Sequence, residues 1–155
     1  NQTKTFISAQ LAVRLRKAHP GDIVVATTSE DDDGVAKAVA WLGKDDIAVS
    51  TDAYIFRHAA NAKYISYFFQ THFFHDQKMR HISGTKVRRI SGESLAGIPI
   101  PLPSLVEQER IVSILDKFDS LVNDISVGLP AELRARRQQY EYYRDRLLSF
   151  GTTRQ

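Results

Sequence analysis

The chain has 155 residues, of which 43% are apolar, and it contains no cysteine. The lack of cysteine excludes thiol nucleophiles, disulfide frameworks and cysteine-based zinc sites, and no apolar run approaches the roughly 18 residues that a membrane span needs. A formal charge of +3 and this size fit one soluble domain, or a domain with an appendage, and the N-terminal residues lack the apolar core of a signal peptide.

Before residue 104 the sequence predicts alternating helices and strands. A short helix is expected over residues 8–18, where Ser8 is a suitable N-cap. Segments rich in β-branched or aromatic residues between turn-forming residues indicate strands, and they lie at residues 22–28, 35–42 and 47–58. The second of these is also compatible with a helix. Apolar residues spaced by three and four then predict a longer helix over residues 61–80, so that residues 1–103 form a mixed α+β domain.

The pattern changes after the proline-rich stretch at residues 98–103. Ser104 and Glu107 form an S-x-x-E capping box, which predicts that a helix begins there. Gly128 and Pro130 then indicate that this helix ends and a second one begins. Apolar residues recur on both helices at spacings of three and four, as on helices that pair along a narrow seam. The seam residues are Ile111, Leu115, Phe118, Val122, Ile125, Leu133, Tyr140, Tyr143 and Leu147.

Two interpretations of this seam are open. The helices could fold back on the domain and complete its core, or they could form an extended pairing element of two rods, each roughly 30 Å long. We favour the extended element, because the seam is narrow and the residues around it are densely charged. The sequence leaves open whether the break at Gly128 keeps the helices collinear or folds them into a hairpin.

Positive charge is concentrated in one segment. Residues 53–92 carry seven Lys or Arg and one acidic residue, a net charge of +6, whereas residues 104–155 are neutral. Concentrated positive charge is what recognition of nucleic-acid phosphates requires, although a solvated basic face has the same composition. The charge pattern is therefore as compatible with a plain solvated surface as with nucleic-acid binding.

The most informative candidate for DNA contacts is the segment at residues 78–89. It leaves a helix, passes a flexible Ser83-Gly84 pair and returns with alternating hydroxyl and cationic side chains. Arg and Lys can read guanine edges, and Ser and Thr can contact bases or phosphates. Short polar residues at predicted strand ends form a second rim, where Asp52 could accept from a cytosine amino group. The candidate DNA-binding residues are Thr27, Thr28, Ser29, Ser50, Thr51, Asp52, Lys78, Arg80, His81, Thr85, Lys86, Arg88 and Arg89.

The chain carries no sequence signature of cofactor binding. It has no G-x-x-x-x-G-K-S/T phosphate loop, no G-x-G-x-x-G turn and no Asn-Pro-Pro-aromatic motif. Two weaker patterns keep a metal-dependent nuclease as an alternative: His72 and His75 lie three residues apart, and the acidic turn at residues 30–33 could supply carboxylates to magnesium. Helix packing and an exposed turn explain these patterns equally well, and no metal site is predicted. A helical scaffold that binds no DNA is a further alternative.

The chain resembles the specificity subunit of type I restriction-modification enzymes nearly from end to end. GDIVVATTSEDDDGVAKAVAWLG, AVSTDAYIFRH and GTKVRRISGESL resemble the distal part of a target recognition domain. IPIPLPSLVEQERIVSILDKFDSL resembles the beginning of the conserved helical spacer in this family. GLPAELRARRQQYEYYRDRLLSF resembles the end of that spacer in the branch that includes the EcoR124-like enzymes.

The resemblance implies a division into parts. Residues 1–103 would be a target recognition domain, incomplete at its N-terminus, residues 104–150 a helical spacer of two helices broken at residues 128–130, and residues 151–155 a tail. This cytoplasmic subunit would read part of a bipartite DNA site, perform no catalysis and bind no cofactor. Modification subunits would methylate adenine with S-adenosylmethionine, and a restriction subunit would use ATP and Mg²⁺.

The chain departs from the family in one respect. Family members normally hold two recognition domains and two spacers, whereas this chain holds at most one of each. We therefore expect the C-terminal portion of a subunit or a half-length subunit. A half-length subunit would pair through the seam residues as a two-fold symmetric homodimer and read two inverted, identical half-sites.

Overall fold

The computed structural model describes residue 3, residues 6–124 and residues 130–149, and within them six helices and seven short strands. The helices are α1 (Ala9–Arg14), α2 (Ala62–Phe68), α3 (His72–Met79), α4 (Gly92–Ala96), α5 (Leu105–Asp124) and α6 (Pro130–Leu148). The strands are β1 (Arg16–Ala18), β2 (Ile23–Ala26), β3 (Thr28–Ser29), β4 (Ala38–Ala40), β5 (Ile47–Val49), β6 (Ala53–Phe56) and β7 (Arg88–Arg89). The predicted α+β class is confirmed.

The described strands form three small antiparallel sheets. In the largest, β2 lies between β4 and β6 and pairs with both. The other two sheets are pairs, β1 with β5 and β3 with β7. Each of the three segments predicted as strands contains at least one strand, and residues 47–58 contain two, β5 and β6, separated by a turn.

Side chains on the two faces of β2 enter two different apolar clusters. Successive residues of a strand point to opposite faces, so Ile23 and Val25 face the main core while Val24 packs on the smaller one. The smaller cluster is formed by Ala18 of β1, Val49 of β5 and Ala53 of β6. β2 therefore joins the two-stranded β1–β5 sheet to the helical side of the molecule.

The main core brings together helices from the middle and from the C-terminal part of the chain. Its largest fully buried side chains include Tyr64 and Phe68 of α2, Phe74 of α3, and Ile111 and Leu115 of α5. Burial of one such side chain stabilises a fold by about 1.5–3 kcal/mol. The helices that follow the proline-rich stretch thus contribute to the same core as the strands before it. None of the helices that the structure describes is long and apolar enough to cross a membrane.

The helix predicted over residues 8–18 is shorter than expected. It begins after Ser8, whose Oγ accepts from the Leu11 amide at 3.3 Å, but it ends at Arg14. Residues Arg16–Ala18 instead pair with β5, which buries Ala18 completely. Sheet pairing and burial therefore override the local helical preference of this segment.

The helix predicted over residues 61–80 is two helices, α2 and α3. Thr71 separates them: its hydroxyl donates to the Phe68 carbonyl at 2.8 Å and accepts from the Phe74 amide at 3.2 Å. One side chain thus satisfies backbone groups at the end of α2 and at the beginning of α3. Thr71 is almost fully buried, and the turn allows Phe68 and Phe74 to enter the same core.

The helices α5 and α6 pack against each other and against α2. Phe118 of α5 stacks on Tyr143 of α6, with ring centroids 5.7 Å apart and planes inclined by 12°. Ile111, Leu115 and Tyr140 are buried in the main core, while Phe118, Val122 and Leu147 pack at its margin. The structure therefore agrees with helices that fold back and complete the core. It differs from the favoured extended element, because the seam residues pack on an apolar face of α2. Ile125 and the side chain of Leu133 lie outside the described residues.

Candidate nucleic-acid interface

Three polar segments that are distant in sequence lie side by side in the structure. Thr28 of β3 pairs with Arg89 of β7, and Ser29 pairs with Arg88. The Thr27 amide donates to the Asp52 carbonyl at 3.0 Å, which joins the β5–β6 turn to the same edge. We call residues 27–29, 50–52 and 80–89 the polar edge. The polar residues at strand ends, which the sequence analysis predicts to form a rim, therefore lie beside the basic segment.

Residues 83–89 form a closed hairpin, which we call the 83–89 hairpin. The Ser83 amide donates to the Arg89 carbonyl at 2.9 Å, and the Arg89 amide donates back to the Ser83 carbonyl at 2.8 Å. Gly84 has φ 92°, and a Cβ on it would overlap the Val87 carbonyl oxygen. The glycine thus permits a tight turn, and the predicted flexibility of the Ser83-Gly84 pair stays a prediction. Thr85 and Lys86 are exposed at its tip.

Arg88 connects the hairpin to the acidic turn. Its Nη1 donates to the Gly84 carbonyl at 2.8 Å, across the hairpin, and its Nη2 donates to Asp32 Oδ2 at 3.3 Å. Arg88 Nε lies 2.8 Å from Asp32 Oδ1, in an ion pair without the alignment of a hydrogen bond. The guanidinium is therefore already bound within the chain, and Arg88 is poorly placed to serve as a DNA contact.

Lys78 lies in the protein interior, contrary to its proposed role in DNA binding. It is 5% exposed, and its Nζ donates to the carbonyls of Val35 at 2.8 Å and Asp33 at 3.3 Å. Burial lowers the pKa of Lys78, against the raising effect of the nearby Asp33. The sequence did carry a signal: Lys78 follows the buried Phe74 by four residues and so shares its helix face.

Groups within the chain bind four of the seven Lys and Arg residues of residues 53–92. Arg57 pairs with Asp22 at 3.3 Å, and Lys63 pairs with Asp116 at 2.6 Å. Arg88 and Lys78 are engaged as described above. Within the part of the chain that the structure describes, the cations of this segment that stay exposed without a carboxylate in salt-bridge distance are Arg80, Lys86 and Arg89. All three belong to the polar edge, beside the exposed His81.

The turn between β5 and β6 contributes short polar side chains to the edge. Ser50, Thr51 and Asp52 are exposed there. Arg16 supports this turn, because its Nη2 donates to the carbonyls of Ala53 at 2.7 Å and Ser50 at 3.3 Å. Sequence reasoning missed Arg16, which it had assigned to a helix. Only the pairing of β1 with β5 reveals that this cation lies beside residues 50–52.

Buried polar contacts fix the beginning of α5 on the preceding domain. Gln108 is almost fully buried, accepts from the Asn61 amide at 2.8 Å and donates to the Pro103 carbonyl at 2.8 Å. Tyr64 donates to the Pro101 carbonyl at 2.7 Å, and burial raises the pKa of Tyr64 to about 12, so its hydroxyl keeps the donated proton. The proline-rich stretch is thus held between α2 and α5.

Asp116 of α5 makes a second polar link to α2. One carboxylate oxygen accepts from Lys63 Nζ at 2.6 Å and the other from the Tyr67 hydroxyl at 2.7 Å. Burial opposes ionisation of Asp116, but the hydrogen bonds from Lys63 and Tyr67 outweigh it and lower its pKa. Burial and the bond to Asp116 raise the pKa of Tyr67. The orientation of α5 relative to the polar edge therefore depends on specific contacts as well as on the core.

The residues considered for a metal site do not converge. His72 Nε2 lies 4.0 Å from Asp145 of α6, whereas His75 Nδ1 lies 3.9 Å from Asp33 of the acidic turn. Asp31 of that turn accepts from the Gly34 amide at 2.6 Å, and Asp32 binds Arg88. Among the described residues no group of three or more His, Asp or Glu side chains could hold a metal ion.

Comparison with known proteins gives a consistent result. The family model described as the type I restriction modification DNA specificity domain matches residues 11–135. The chain is 53% identical over 68 residues to the type I restriction enzyme EcoR124I/EcoR124II specificity subunit of Escherichia coli, and 43% identical over 80 residues to a putative type I specificity subunit of Haemophilus influenzae. It is 37% identical over 62 residues to the MpnII specificity subunit of Mycoplasma pneumoniae.

These matches cover 44%, 52% and 40% of the chain, respectively, and 17%, 21% and 19% of the relatives. The chain therefore matches about a fifth of the length of each. The comparisons give no support to the nuclease alternative.

Proposed function

The chain belongs to the type I restriction-modification DNA specificity family, and we propose that its polar edge reads part of a DNA target sequence. One observation carries this proposal: three segments that are distant in sequence lie along one edge, and this edge holds those cations of the basic segment that are exposed without a carboxylate partner among the described residues. Ion pairs within the chain occupy Arg57, Lys63 and Arg88, and Lys78 is buried against backbone carbonyls. The remaining exposed charge therefore marks the side of the molecule that would face phosphates.

The polar edge offers two kinds of contact. Arg80 and Arg89 would bind phosphates and fix the register on the duplex, which carries no sequence information by itself. Thr85 and Lys86 at the tip of the 83–89 hairpin would read base edges, since a hairpin tip is narrow enough to enter the major groove. Thr28 and Asp52 would line the rim of the contact, where Asp52 could accept from a cytosine amino group.

The chemistry in this proposal belongs to partner subunits. Modification subunits would bring S-adenosylmethionine and methylate adenine, and a restriction subunit would supply ATP- and Mg²⁺-dependent cleavage in the bacterial cytoplasm. Residues 1–103 would serve as the recognition domain and residues 104–150 as the spacer that presents a surface to these partners.

A homodimer through the helices would need a surface other than the predicted seam, because Ile111, Leu115 and Tyr140 are buried within the chain. Leu121 and Tyr142 are exposed on α5 and α6 and would be available for such contacts. Sedimentation of the purified chain would measure its oligomeric state. A dimer that persists when Leu121 and Tyr142 are both replaced by Ser would exclude this surface.

Selection from a duplex DNA library with a randomised central segment tests sequence reading directly. We expect the wild-type chain to enrich a motif, and Thr85→Ala or Lys86→Ala to weaken that motif at one or more positions by about 1–3 kcal/mol per lost base contact. Lys117→Ala removes an exposed cation of α5, outside the polar edge, and should leave the motif unchanged. A motif that survives both hairpin substitutions would refute the assignment of the hairpin.

A further inference from the structure

An acidic turn lies directly beside the polar edge, where it should hinder DNA binding. Glu30, Asp31, Asp32 and Asp33 follow Ser29 at the end of β3. Carboxylates in this position repel phosphates over roughly 10 Å at moderate ionic strength. If charge alone governed this surface, removal of any of these carboxylates would improve DNA binding. The contacts of Asp32 indicate a different role for it.

Asp32 and Arg88 form a chain of contacts that reaches across the 83–89 hairpin. The Arg88 guanidinium binds the Asp32 carboxylate on one side and the Gly84 carbonyl, 2.8 Å away, on the other. Asp32 Oδ1 is buried and accepts no aligned hydrogen bond in the part of the chain that the structure describes. Its charge is therefore compensated by the guanidinium 2.8 Å away. Withdrawal of Arg88 toward DNA would leave this buried oxygen without its cation, which is unfavourable even though the Asp32 side chain as a whole is 30% exposed.

The position of Arg88 explains how this pair would affect the hairpin tip. Arg88 directly follows the turn that Gly84 begins, and the backbone of Arg89 closes the hairpin on Ser83. The guanidinium thus holds the two ends of the Thr85–Lys86 tip at a fixed separation and ties both to the turn after β3. A recognition loop held in its bound conformation loses less conformational entropy when it binds.

We propose that Asp32 and Arg88 are positioning residues, which hold the 83–89 hairpin in the conformation that reads DNA. This inference rests on the proposed function. It gives Asp32 a role in holding the DNA-reading hairpin, although the negative charge of the acidic turn repels DNA. Asp32 acts through Arg88, and Arg88 acts through the tip residues, so neither residue needs to touch a base.

The chain offers a matched control for the charge of Asp32. Asp33 is the next residue of the same turn, and its side chain is 92% exposed and lies 3.9 Å from His75. Asp32→Asn and Asp33→Asn remove the same charge from neighbouring residues of one turn. A purely electrostatic effect would raise DNA affinity in both variants, whereas the positioning role gives the two variants opposite effects on the selected motif.

Arg88→Lys separates positioning from a phosphate contact. Lysine keeps the positive charge, but its single ammonium cannot bind the Asp32 carboxylate and the Gly84 carbonyl in the fork geometry of arginine. If Arg88 contacted a phosphate, the lysine variant would keep most of the affinity. If Arg88 positions the hairpin, the variant loses the selected motif although its net charge is unchanged.

The test compares the wild-type chain with Asp32→Asn, Asp33→Asn and Arg88→Lys in two measurements. The first is amide hydrogen exchange at Ser83 and Arg89, which close the hairpin. The second is affinity for a duplex that carries the motif selected from the randomised library, and for a scrambled duplex of the same composition. We expect Asp32→Asn and Arg88→Lys to speed exchange at both amides and to lose roughly tenfold in affinity for the motif, with the scrambled duplex bound at least as well.

We expect Asp33→Asn to leave exchange unchanged and to bind both duplexes slightly more tightly. If Asp32→Asn matches Asp33→Asn in both measurements while the wild-type chain selects a motif, this inference alone is wrong. If the wild-type chain selects no motif, the proposed function is wrong, and so is the inference that rests on it.

Discussion

Lys78 and Lys86 belong to one basic segment but differ in what surrounds them. Lys78 is buried and donates to two backbone carbonyls, whereas Lys86 is exposed at the tip of the hairpin. A count of charges treats the two residues alike. The distinction depends on which helix face enters the core, and for Lys78 the spacing from Phe74 is the part of that information available in the sequence.

Substitution of the two lysines should separate stability from binding. Lys78→Met should lower the free energy of unfolding by about 1–3 kcal/mol, because it leaves the buried Val35 carbonyl without a donor. Lys86→Met should leave stability unchanged and weaken the selected DNA motif, because Lys86 would read a base edge in the proposed function. Urea unfolding and selection from the randomised duplex library measure the two effects. Equal stability of the two variants would refute the structural role of Lys78.

Asp116 should make the stability of the chain depend on acid pH. Its pKa is lowered in the folded chain, so the unfolded chain binds the proton more tightly. Its contribution to stability is therefore complete above the unfolded pKa of about 3.9 and is lost as the pH falls through the lower folded value. Asp116→Asn should cost about 0.5–1 kcal/mol at pH 7, the range for a partly exposed ion pair.

Urea unfolding at pH 7 and at pH 3 measures this dependence. We expect the difference in stability between wild type and Asp116→Asn to shrink at the lower pH. The exposed Asp119 on the same helix provides the control, since Asp119→Asn should have little effect at either pH. A difference that stays constant from pH 7 to pH 3 would show that the bonds of Asp116 to Lys63 and Tyr67 do not depend on its charge.

At the scale of elements, the sequence predicts which segments are helices and strands better than where they end. Side-chain caps at Ser8 and Ser104 begin helices where the pattern indicated. Thr71 was missed because apolar residues keep helical spacing on both sides of it, so periodicity continues through the turn. Arg16–Ala18 was missed because only the partner strand β5, which is distant in sequence, makes this segment a strand.

The sequence also predicts the candidate site only in part. The sequence identified polar residues at strand ends and in the basic segment, but it could not show that Thr28 pairs with Arg89 or that Asp32 binds Arg88. Both contacts join residues more than fifty positions apart. Local composition indicates the types of side chain that DNA contacts need, and only tertiary pairing decides which of them remain free.

The 83–89 hairpin should tolerate no side chain at Gly84. Gly84→Ala places a Cβ against the Val87 carbonyl and a non-glycine residue at φ 92°, which costs about 1–3 kcal/mol. We expect faster hydrogen exchange at Arg89 and loss of the selected DNA motif. Gly97→Ala is the matched control, because that residue has φ −76° and a Cβ there would meet its nearest atom at an ordinary 3.5 Å. Similar behaviour of the two variants would contradict the hairpin geometry.

At the scale of the whole molecule, the main core unites the two parts that the sequence divided at residue 103. Leu115 of α5 is fully buried against α2, and Gln108 and Asp116 add polar links between the same helices. The direction of the polar edge is therefore set relative to α5 and α6. In the proposed function, this rigid connection would transmit the position of the bound DNA to partner subunits on the helices.

A shared core should unfold as one unit. Leu115→Ala should lower the free energy of unfolding by about 2–5 kcal/mol, as expected for a large buried side chain. The fluorescence of Trp41, which follows β4, and the helical circular dichroism should report the same transition in the wild type and the variant. Leu121→Ala, at an exposed position of α5, should change little. A loss of helical signal before any change at Trp41 would indicate two independent units.

Mapping of methylated adenines in DNA from cells that contain the chain and its modification subunits is the most direct test of DNA reading by the polar edge. With the wild-type chain we expect one recurring methylated sequence. Thr85→Ala and Lys86→Ala should relax or abolish that sequence preference, because base contacts carry specificity, while Lys117→Ala should preserve it. Methylation at the same sequence in all four cases, or at no common sequence with the wild type, would contradict the account.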